Sequence, residues 1–430
     1  MSNEGLAFIV FSVGMLTLMG IGMNMGLALV LTGAGMAWVL DFWDTQLLAQ
    51  NLVAGVDSFP LLAVPFFILA GELMNSGGIS QRIIAMAQAW VGHIRGGLGF
   101  VAIAAAVMMA SMSGSALADT AALATILLPM MRQQGYPMHT SAGLIASGGI
   151  IAPIIPPSMP FVIYGVTTNT SISALFLSGI VPGLIMGVGL VIAWKLVLRN
   201  MDLPENQPLP LKERLRATVK AFWAMLMPLI IIGGMKTGIF TPTEAAVVAA
   251  FYALFIALFV HREMKLTEIH GVLVRAGKTT AIVMFLCAGA QVASYMITLA
   301  DLPGTLTGWL GPLVESPKLL MAVMMLVLVI VGTALDLTPT ILIFAPVMLP
   351  IAVKAGIDPV YFGLMFVLNG AIGLITPPVG TVLNVVAGVG RLPLHRVIQG
   401  VNPFLITYVL ILALFVIFPQ IVTAPVAWMR

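Results

Sequence analysis

Long apolar runs, nearly free of charge, dominate this chain and leave few folds open to it. They fall roughly at 5–21, 24–40, 58–75, 97–112, 116–131, 141–165, 171–198, 221–236, 243–260, 279–300, 319–335, 340–353, 360–388 and 402–424. A helix that crosses a hydrocarbon core of about 30 Å needs about 20 such residues. Hydrophobic residues make up 60% of the chain and charged residues 8%, where a soluble domain carries about 25% charge. So little charge cannot cover a water-soluble surface. A cytosolic enzyme, a nucleic-acid binder and a disordered chain are thereby excluded. A membrane β-barrel is disfavoured too, because its strands alternate polar and apolar residues. What remains is an all-α polytopic membrane protein, with the lipid bilayer as its solvent and no nucleic-acid partner.

The net charge of +3 reflects basic loops on one side and says little about partners. The one cysteine, Cys287, lies in an apolar run and allows no internal disulfide. Met-Ser-Asn-Glu precedes the first run with no basic residue, so that run is expected to stay in the mature protein rather than be cleaved as a signal peptide.

An internal repeat divides the chain. Leu128-Pro129, Gly135 and Pro156-Pro157 recur as Leu349-Pro350, Gly356 and Pro377-Pro378, at one offset (349 − 128 = 356 − 135 = 377 − 156 = 221). The apolar landmarks follow the same offset. Residues 1–198 and 221–430 therefore read as two halves of one architecture, joined by a polar linker at 199–220. Loop charge gives their relative orientation. Segment 41–57 carries Asp41, Asp44 and Asp57 and no Lys or Arg, whereas its partner 262–278 carries Arg262, Lys265, Arg275 and Lys278. Segment 80–95 holds Arg82 and Arg95, whereas 301–316 holds only acidic charges. By the positive-inside rule, paired loops lie on opposite sides. That is an inverted-topology repeat, a plan typical of secondary transporters. Segments 80–95, 199–220 and 261–278 are placed in the cytoplasm, and 41–57 and 301–316 outside. The stretch 79–94 is either an interfacial helix or an ordinary helical linker.

Two clusters, one per half, could carry chemistry. The first is 113–120 (Ser-Gly-Ser-Ala-Leu-Ala-Asp-Thr) followed by 148–158, which ends Ile155-Pro156-Pro157-Ser158. The second is 332–340 (Gly-Thr-Ala-Leu-Asp-Leu-Thr-Pro-Thr) followed by 369–379, which ends Thr376-Pro377-Pro378-Val379. Consecutive prolines cannot continue a helix, and they free the carbonyls of 152–156 and 373–377 from intrahelical donors. At membrane depth such backbone must face protein or a polar cavity. Carbonyls beside hydroxyls suit a small hard cation such as Na⁺, and the N–H groups of a following half-helix suit an anion. The alternative is a simple proline kink; two Pro-Pro pairs at repeat-equivalent positions favour a site. The runs 116–131 and 340–353, interrupted by Pro and Gly, read as half-helices.

Glu72, Asp119, Glu244 and Asp336 lie in or beside apolar runs and are either helix caps or proton carriers. Thr241-Pro242-Thr243-Glu244 reads as a capped helix start. Gly271 to Thr279 resembles a phosphate-binding loop but has five residues between its glycines instead of four, and no preceding strand. The five histidines are scattered, with no Cys/His metal cluster. No nucleophile is paired with a base, so an intramembrane enzyme finds no support.

These residues together resemble the large membrane subunit of a TRAP (tripartite ATP-independent periplasmic) transporter. The resemblance runs over nearly the whole chain. It is carried by 65–72 (Pro-Phe-Phe-Ile-Leu-Ala-Gly-Glu), Ser113-Gly114-Ser115, 154–158, Phe240 to Ala245, Asp358-Pro359 and 376–380. In particular it resembles the subgroup importing sugar acids such as 2,3-diketogulonate. The resemblance implies sodium-coupled import of a small carboxylate, a sugar acid or a dicarboxylate, without ATP. It implies a small four-helix membrane subunit and a periplasmic solute-binding protein as partners. It implies an elevator, in which a transport domain with two re-entrant hairpins moves against a scaffold. Carried over by position, one sodium site would use Ser113, Ser115, Ala152, Ile155 and Pro157, and the other Gly332, Gly373, Thr376 and Val379. Ala152 departs from the family, which often has Gly there. Ser158 and Asn384, each just after a Pro-Pro break, are the candidate substrate contacts. Two alternatives stay open: a proton-coupled symporter of the same fold using Asp119 or Asp336, and a non-transporting subunit of a membrane complex.

Overall fold

The computed structural model describes residues 3–199, 203, 205, 207–301, 304, 308, 311–333 and 335–429. Much of the loop 301–316, and residues 200–202, 204 and 206 of the linker, fall outside them. The described residues contain helices and no strand. In chain order the α-helices are α1 (Asn3–Gly20), α2 (Met25–Val39), α3 (Thr45–Ala54), α4 (Ala63–Ser76), α5 (Ile79–Val91), α6 (Gly97–Ser113), α7 (Ala116–Gln133), α8 (Met138–Gly149), α9 (Met159–Thr168) and α10 (Ile172–Leu198). The second half contributes α11 (Leu211–Lys236), α12 (Pro242–Phe255), α13 (Leu266–Leu299), α14 (Gly311–Val314), α15 (Pro317–Gly332), α16 (Leu337–Lys354), α17 (Pro359–Gly373), α18 (Thr381–Gly390), α19 (Leu394–Ile417) and α20 (Gln420–Met429).

Seven helical stretches are long and apolar enough to cross a membrane: 59–76, 172–198, 211–236, 242–260, 266–299, 337–354 and 394–417. The last turn of the fourth is a π-helix, Ile256–Val260. Two of these refine the sequence reading. α11 begins at Leu211, so half of the supposed linker belongs to a continuous helix. α16 is long enough to span, although 340–353 reads as a half-helix; Pro346 and Pro350 lie inside it and 61% of its span window is buried in protein.

Capping explains several helix starts. Thr241 and Glu244 form a reciprocal capping box: Thr241 N donates to Glu244 Oε2 at 2.8 Å, and Glu244 N donates to Thr241 Oγ1 at 3.3 Å. Glu244 is therefore a cap, as the Thr-Pro-Thr-Glu pattern predicts. Asp358 accepts from Val360 N and Tyr361 N, both at 2.9 Å, and so starts α17. Ser115 starts α7 and Ser158 starts α9 in the same way.

The offset of 221 carries over into three dimensions. It maps α7 residue for residue onto α16, α8 onto the start of α17, and α9 onto α18 within one residue. Contacts between the halves come in exchanged pairs. α2 packs on α13 while α12 packs on α4; α7 packs on α18 while α16 packs on α9; α8 packs on α19 while α17 packs on α10. Such exchange relates the halves by an approximate two-fold, as at an isologous dimer interface. Small residues line the tightest of these contacts. Ala245, Ala246, Ala249 and Ala253 of α12 are buried, as are Ala63, Ala70 and Gly71 of α4, which lets the helix backbones approach closely.

α5 is a 13-residue helix, about 20 Å long at 1.5 Å per residue, and too short to span. Ile79, Ile83, Ile84 and Ala87 are buried, while Trp90 is exposed and donates to Thr218 Oγ1 of α11 at 2.9 Å. On the same side two ion pairs fasten the halves: Arg82 Nη2 to Glu263 Oε1 at 2.7 Å, and Arg275 Nε to Glu72 Oε2 at 3.0 Å. Glu72 is thus the partner of an arginine.

Candidate functional site

Two spans are broken at mid-depth. α8 and α9, 12 and 10 residues long, measure about 18 Å and about 15 Å, each about half of the hydrocarbon core. Between them, Ile150 to Ser158 leave the helix, with a cis Pro156–Pro157 bond. α17 and α18 are broken in the same way by Leu374 to Gly380, with a cis Pro377–Pro378 bond. The apolar runs 141–165 and 360–388 are therefore each a pair of half-helices.

Each break meets the tip of a helical hairpin from its own half. α6 ends at Ser113, Gly114 caps it with φ +61°, and α7 starts at Ala116. A Cβ at Gly114 would lie 2.6 Å from the Pro157 carbonyl oxygen and 3.0 Å from the Ser158 Cα. The Ser113–Ser115 turn therefore rests on the Pro157–Ser158 break, which joins the residues of the first predicted sodium site. In the second half the backbones of Gly332 and Gly373 meet: a Cβ on Gly373 would lie 2.8 Å from Gly332 Cα, and one on Gly332 3.1 Å from Gly373 Cα. Glycine is needed at both because backbone, not a yielding side chain, fills the space.

Hydrogen bonding at the first break is incomplete. Ala152 N donates to Gly149 O at 3.2 Å and Ile155 N to Ile151 O at 3.2 Å. Among the described residues no donor reaches the carbonyls of Ala152, Ile155 or Pro157. Every residue from Thr140 to Ser158 is buried. Such carbonyls are costly without a partner, and they are hard oxygen donors of the kind a small cation takes. Beside them, Ser113 Oγ donates to Asp119 Oδ1 at 2.5 Å and accepts from Ser115 N at 3.1 Å. Its hydrogen is committed to the carboxylate, and one lone pair remains. Ser115 Oγ accepts from Ala118 N at 3.4 Å. Asp119 and Thr120 are 2% and 0% exposed, and their Oδ2 and Oγ1 atoms have no hydrogen-bond partner among the described residues.

At the second break more groups are already engaged. Thr376 N donates to Gly373 O at 3.0 Å, Thr376 Oγ1 to Ile372 O at 2.8 Å, and Asn384 Nδ2 to Val379 O at 2.9 Å. Asp336 sits at the start of α16 with no side-chain cap bond to that helix. Of the two candidate substrate contacts, Ser158 is 0% exposed; its hydroxyl donates to Pro153 O at 2.5 Å and accepts from Phe161 N at 3.5 Å. It ties the first break together. Asn384 is exposed on α18.

The side chain of Asn369 goes beyond what the sequence suggests. It is 0% exposed, Nδ2 donates to Met325 O at 2.6 Å, and Oδ1 has no partner among the described residues. Asn369 lies 221 residues after Gly148, so a comparison of the two halves would have marked it as a polar group with no counterpart.

Half-helices meeting hairpin tips at mid-depth, with unpaired carbonyls turned inward, define a membrane transporter of the broken-helix class. Residues 12–421 match the family described as "Tripartite ATP-independent periplasmic transporter, DctM component". The chain is 50% identical over 425 residues (99% of this chain, 100% of the relative) to the 2,3-diketo-L-gulonate TRAP transporter large permease protein YiaN of Escherichia coli K12. It is 39% identical over 410 residues (95% of each) to the sialic acid TRAP transporter large permease protein SiaM of Vibrio cholerae. Among solved structures, the YdaH transporter of Alcanivorax borkumensis shares the fold, with a TM-score of 0.60 at 15% identity over 86% of this chain and 87% of that one. The chain belongs to the TRAP family as a large permease. It is a transporter and not an enzyme, and it spans the bacterial inner membrane several times.

Proposed function

We propose that this permease imports a sugar acid by sodium-coupled secondary transport. A periplasmic solute-binding protein delivers the substrate, and a small four-helix membrane subunit completes the complex. The reading rests on the first break, where the buried carbonyls of Ala152, Ile155 and Pro157 have no donor and lie beside Ser113 and Ser115. Na⁺ held there, and at Gly332, Gly373, Thr376 and Val379, orders the hairpin tips against the broken helices. The substrate class follows from YiaN, which is named for 2,3-diketo-L-gulonate; SiaM, named for sialic acid, also carries a sugar acid.

The hairpins and broken helices move as one body against α2, α4, α12 and α13. Those four helices pack on one another, α2 on α13, α12 on α4 and α4 on α13, which suits them to be a scaffold. Each net positive charge that enters through 100 mV contributes about 2.3 kcal/mol, so sodium entry can drive accumulation without ATP.

The test is uptake into proteoliposomes holding the permease and its small partner. The cognate binding protein is supplied loaded with labelled 2,3-diketo-L-gulonate. An inward sodium gradient is compared with equimolar potassium at fixed pH. Uptake only with sodium is expected. A second reading, proton coupling, draws on the unpartnered Oδ2 of Asp119. Equal uptake in potassium that follows pH would establish it and end the sodium reading.

A further inference from the structure

A polar cavity lies outside both breaks, with no residue of 150–158 or 374–380 in its lining. It has a volume of about 330 Å³, at the small end of the range for small-molecule sites (about 300–1,000 Å³). Its polar lining is Ser58, Thr167, Asn169, Gln291 and Ser294. These come from the segment after α3, the end of α9 and the last third of α13, with Leu342 of α16 closing one wall. The cavity thus lies between helices assigned to the scaffold and helices assigned to the moving body. It is on the side where the loop 41–57 has no Lys or Arg, which is the outer side.

Three observations bear on what it holds. No Asp, Glu, Lys or Arg lines it, so a carboxylate finds no countercharge there. Among the described residues, the side chains of Ser58, Asn169, Gln291 and Ser294 make no hydrogen bond, and Thr167 only donates, to Ile163 O at 2.7 Å. Asn169 and Gln291 are exposed and Ser58, Thr167 and Ser294 half-buried, so their hydrogen-bonding capacity is open to whatever fills the cavity. The repeat supplies an internal control. Subtracting 221 from Gln291 and Ser294 gives Ala70 and Leu73, and adding 221 to Thr167 and Asn169 gives Gly388 and Gly390. Four of the five polar groups are therefore missing from the equivalent place on the other side. The framework is shared and the polarity is not, so the polarity serves something on the outer side alone.

We propose that this cavity is an outer subsite for the uncharged, hydroxyl-bearing part of the substrate, which it holds while the carboxylate end points toward the breaks. The inference rests on the sugar-acid reading above. Hydroxyls both donate and accept, and they match a lining of amides and hydroxyls with no net charge. The subsite would select for polyhydroxylated acids over simple dicarboxylates at the permease itself, in addition to any choice made by a binding protein.

The experiment places a single thiol in the cavity. Gln291→Cys and, separately, Ser58→Cys are made in a Cys287→Ala background. Each is reconstituted with the small partner and labelled from outside with a membrane-impermeant thiol reagent. Millimolar gluconate and the neutral polyol sorbitol are expected to slow labelling several-fold, and succinate, which has no hydroxyl, to leave it unchanged. Equal protection by succinate, or no protection by gluconate, overturns the proposal. In a second arm, Asn169→Ala and Gln291→Leu are expected to raise the KM for sugar-acid uptake several-fold with kcat unchanged, a split that a folding defect would not give. Uptake of 2,3-diketo-L-gulonate by the unaltered protein is measured alongside. Its failure would end the sugar-acid reading, while the gluconate and sorbitol protection still judges the cavity.

Discussion

The two broken helices use one sequence device in two environments. At the first, every residue from Thr140 to Ser158 is buried, and the Ser158 hydroxyl joins the Pro153 carbonyl to the start of α9. At the second, burial holds from Val360 to Ile375 and then stops; Pro378 and Val379 are exposed. The residue 221 positions after Ser158 is Val379, which has no hydroxyl to cap with. Gly380 takes the cap position of α18 with φ +47°, and Asn384 reaches back from the next turn to hold the Val379 carbonyl. The first break is thus knitted into the core, and the second is held from its rim. A repeat can keep its backbone plan while its two copies differ in packing: one is buried throughout, and the other is exposed at its rim.

That contrast can be broken by substitution. The largest effect is expected from Gly114→Ala. It forces a left-handed backbone on alanine and sets a methyl 2.6 Å from the Pro157 carbonyl oxygen, for a cost of roughly 3 kcal/mol. A sharply lowered Tm in detergent and loss of uptake should follow. Gly332→Ala, at 3.1 Å and in helical backbone, should cost about half as much; equal losses would mean that the second tip is packed as rigidly as the first. Ser158→Ala removes a buried cap and leaves the Pro153 carbonyl without its donor, for about 2 kcal/mol. Asn384→Ala at the exposed break should change stability by less than about 0.5 kcal/mol. Comparing the two melting curves tests that difference in packing directly; a larger loss from Asn384→Ala would reverse it.

Cation binding sharpens the comparison further. Ser115→Ala and Thr376→Ala should each weaken the apparent sodium affinity of uptake several-fold. If neither does, the positions assigned to both sites are wrong. A small effect, confined to acid pH, is expected at the Arg82–Glu263 pair, which lies outside both breaks. The Arg82 hydrogen bond and charge hold the Glu263 carboxyl below its usual range. A depressed carboxylate adds stability above its unfolded value, about 4.3, and loses it as pH falls through the lower folded value. Glu263 is 40% exposed, so the contribution should stay below about 1 kcal/mol. Arg82→Gln should remove that acid-dependent part of the Tm and leave uptake unchanged.

Much of this architecture is legible in the sequence because its causes are local or periodic. Consecutive prolines must break a helix wherever they stand, and a constant offset of 221 must relate two copies. Thr241 and Glu244 announce their capping box at the right spacing. Long-range partners are another matter. Nothing in the sequence pairs Glu72 with Arg275, 203 positions away. Ser158 reads as a substrate contact because it follows a break, yet packing buries it and spends its hydroxyl on Pro153. The continuity of α11 through 211–220 is hidden by charges that face solvent. The outer cavity is assembled from four remote segments, and only a position-by-position comparison of the halves would have marked Gln291 and Asn169 as unusual.

The exchanged packing of α2 on α13 and of α12 on α4 also has a consequence for synthesis. α4 ends at Ser76 and its main partner begins at Pro242, 166 residues later. At about 5–20 residues per second, α4 waits about 10–30 s for that partner to leave the ribosome. During that interval the small-residue groove around Ala63, Ala70 and Gly71 faces lipid or the insertion machinery. The first half must therefore reside in the membrane unfinished, and cutting the coding sequence between the halves should yield two fragments that become stable only when both are made in the same cell.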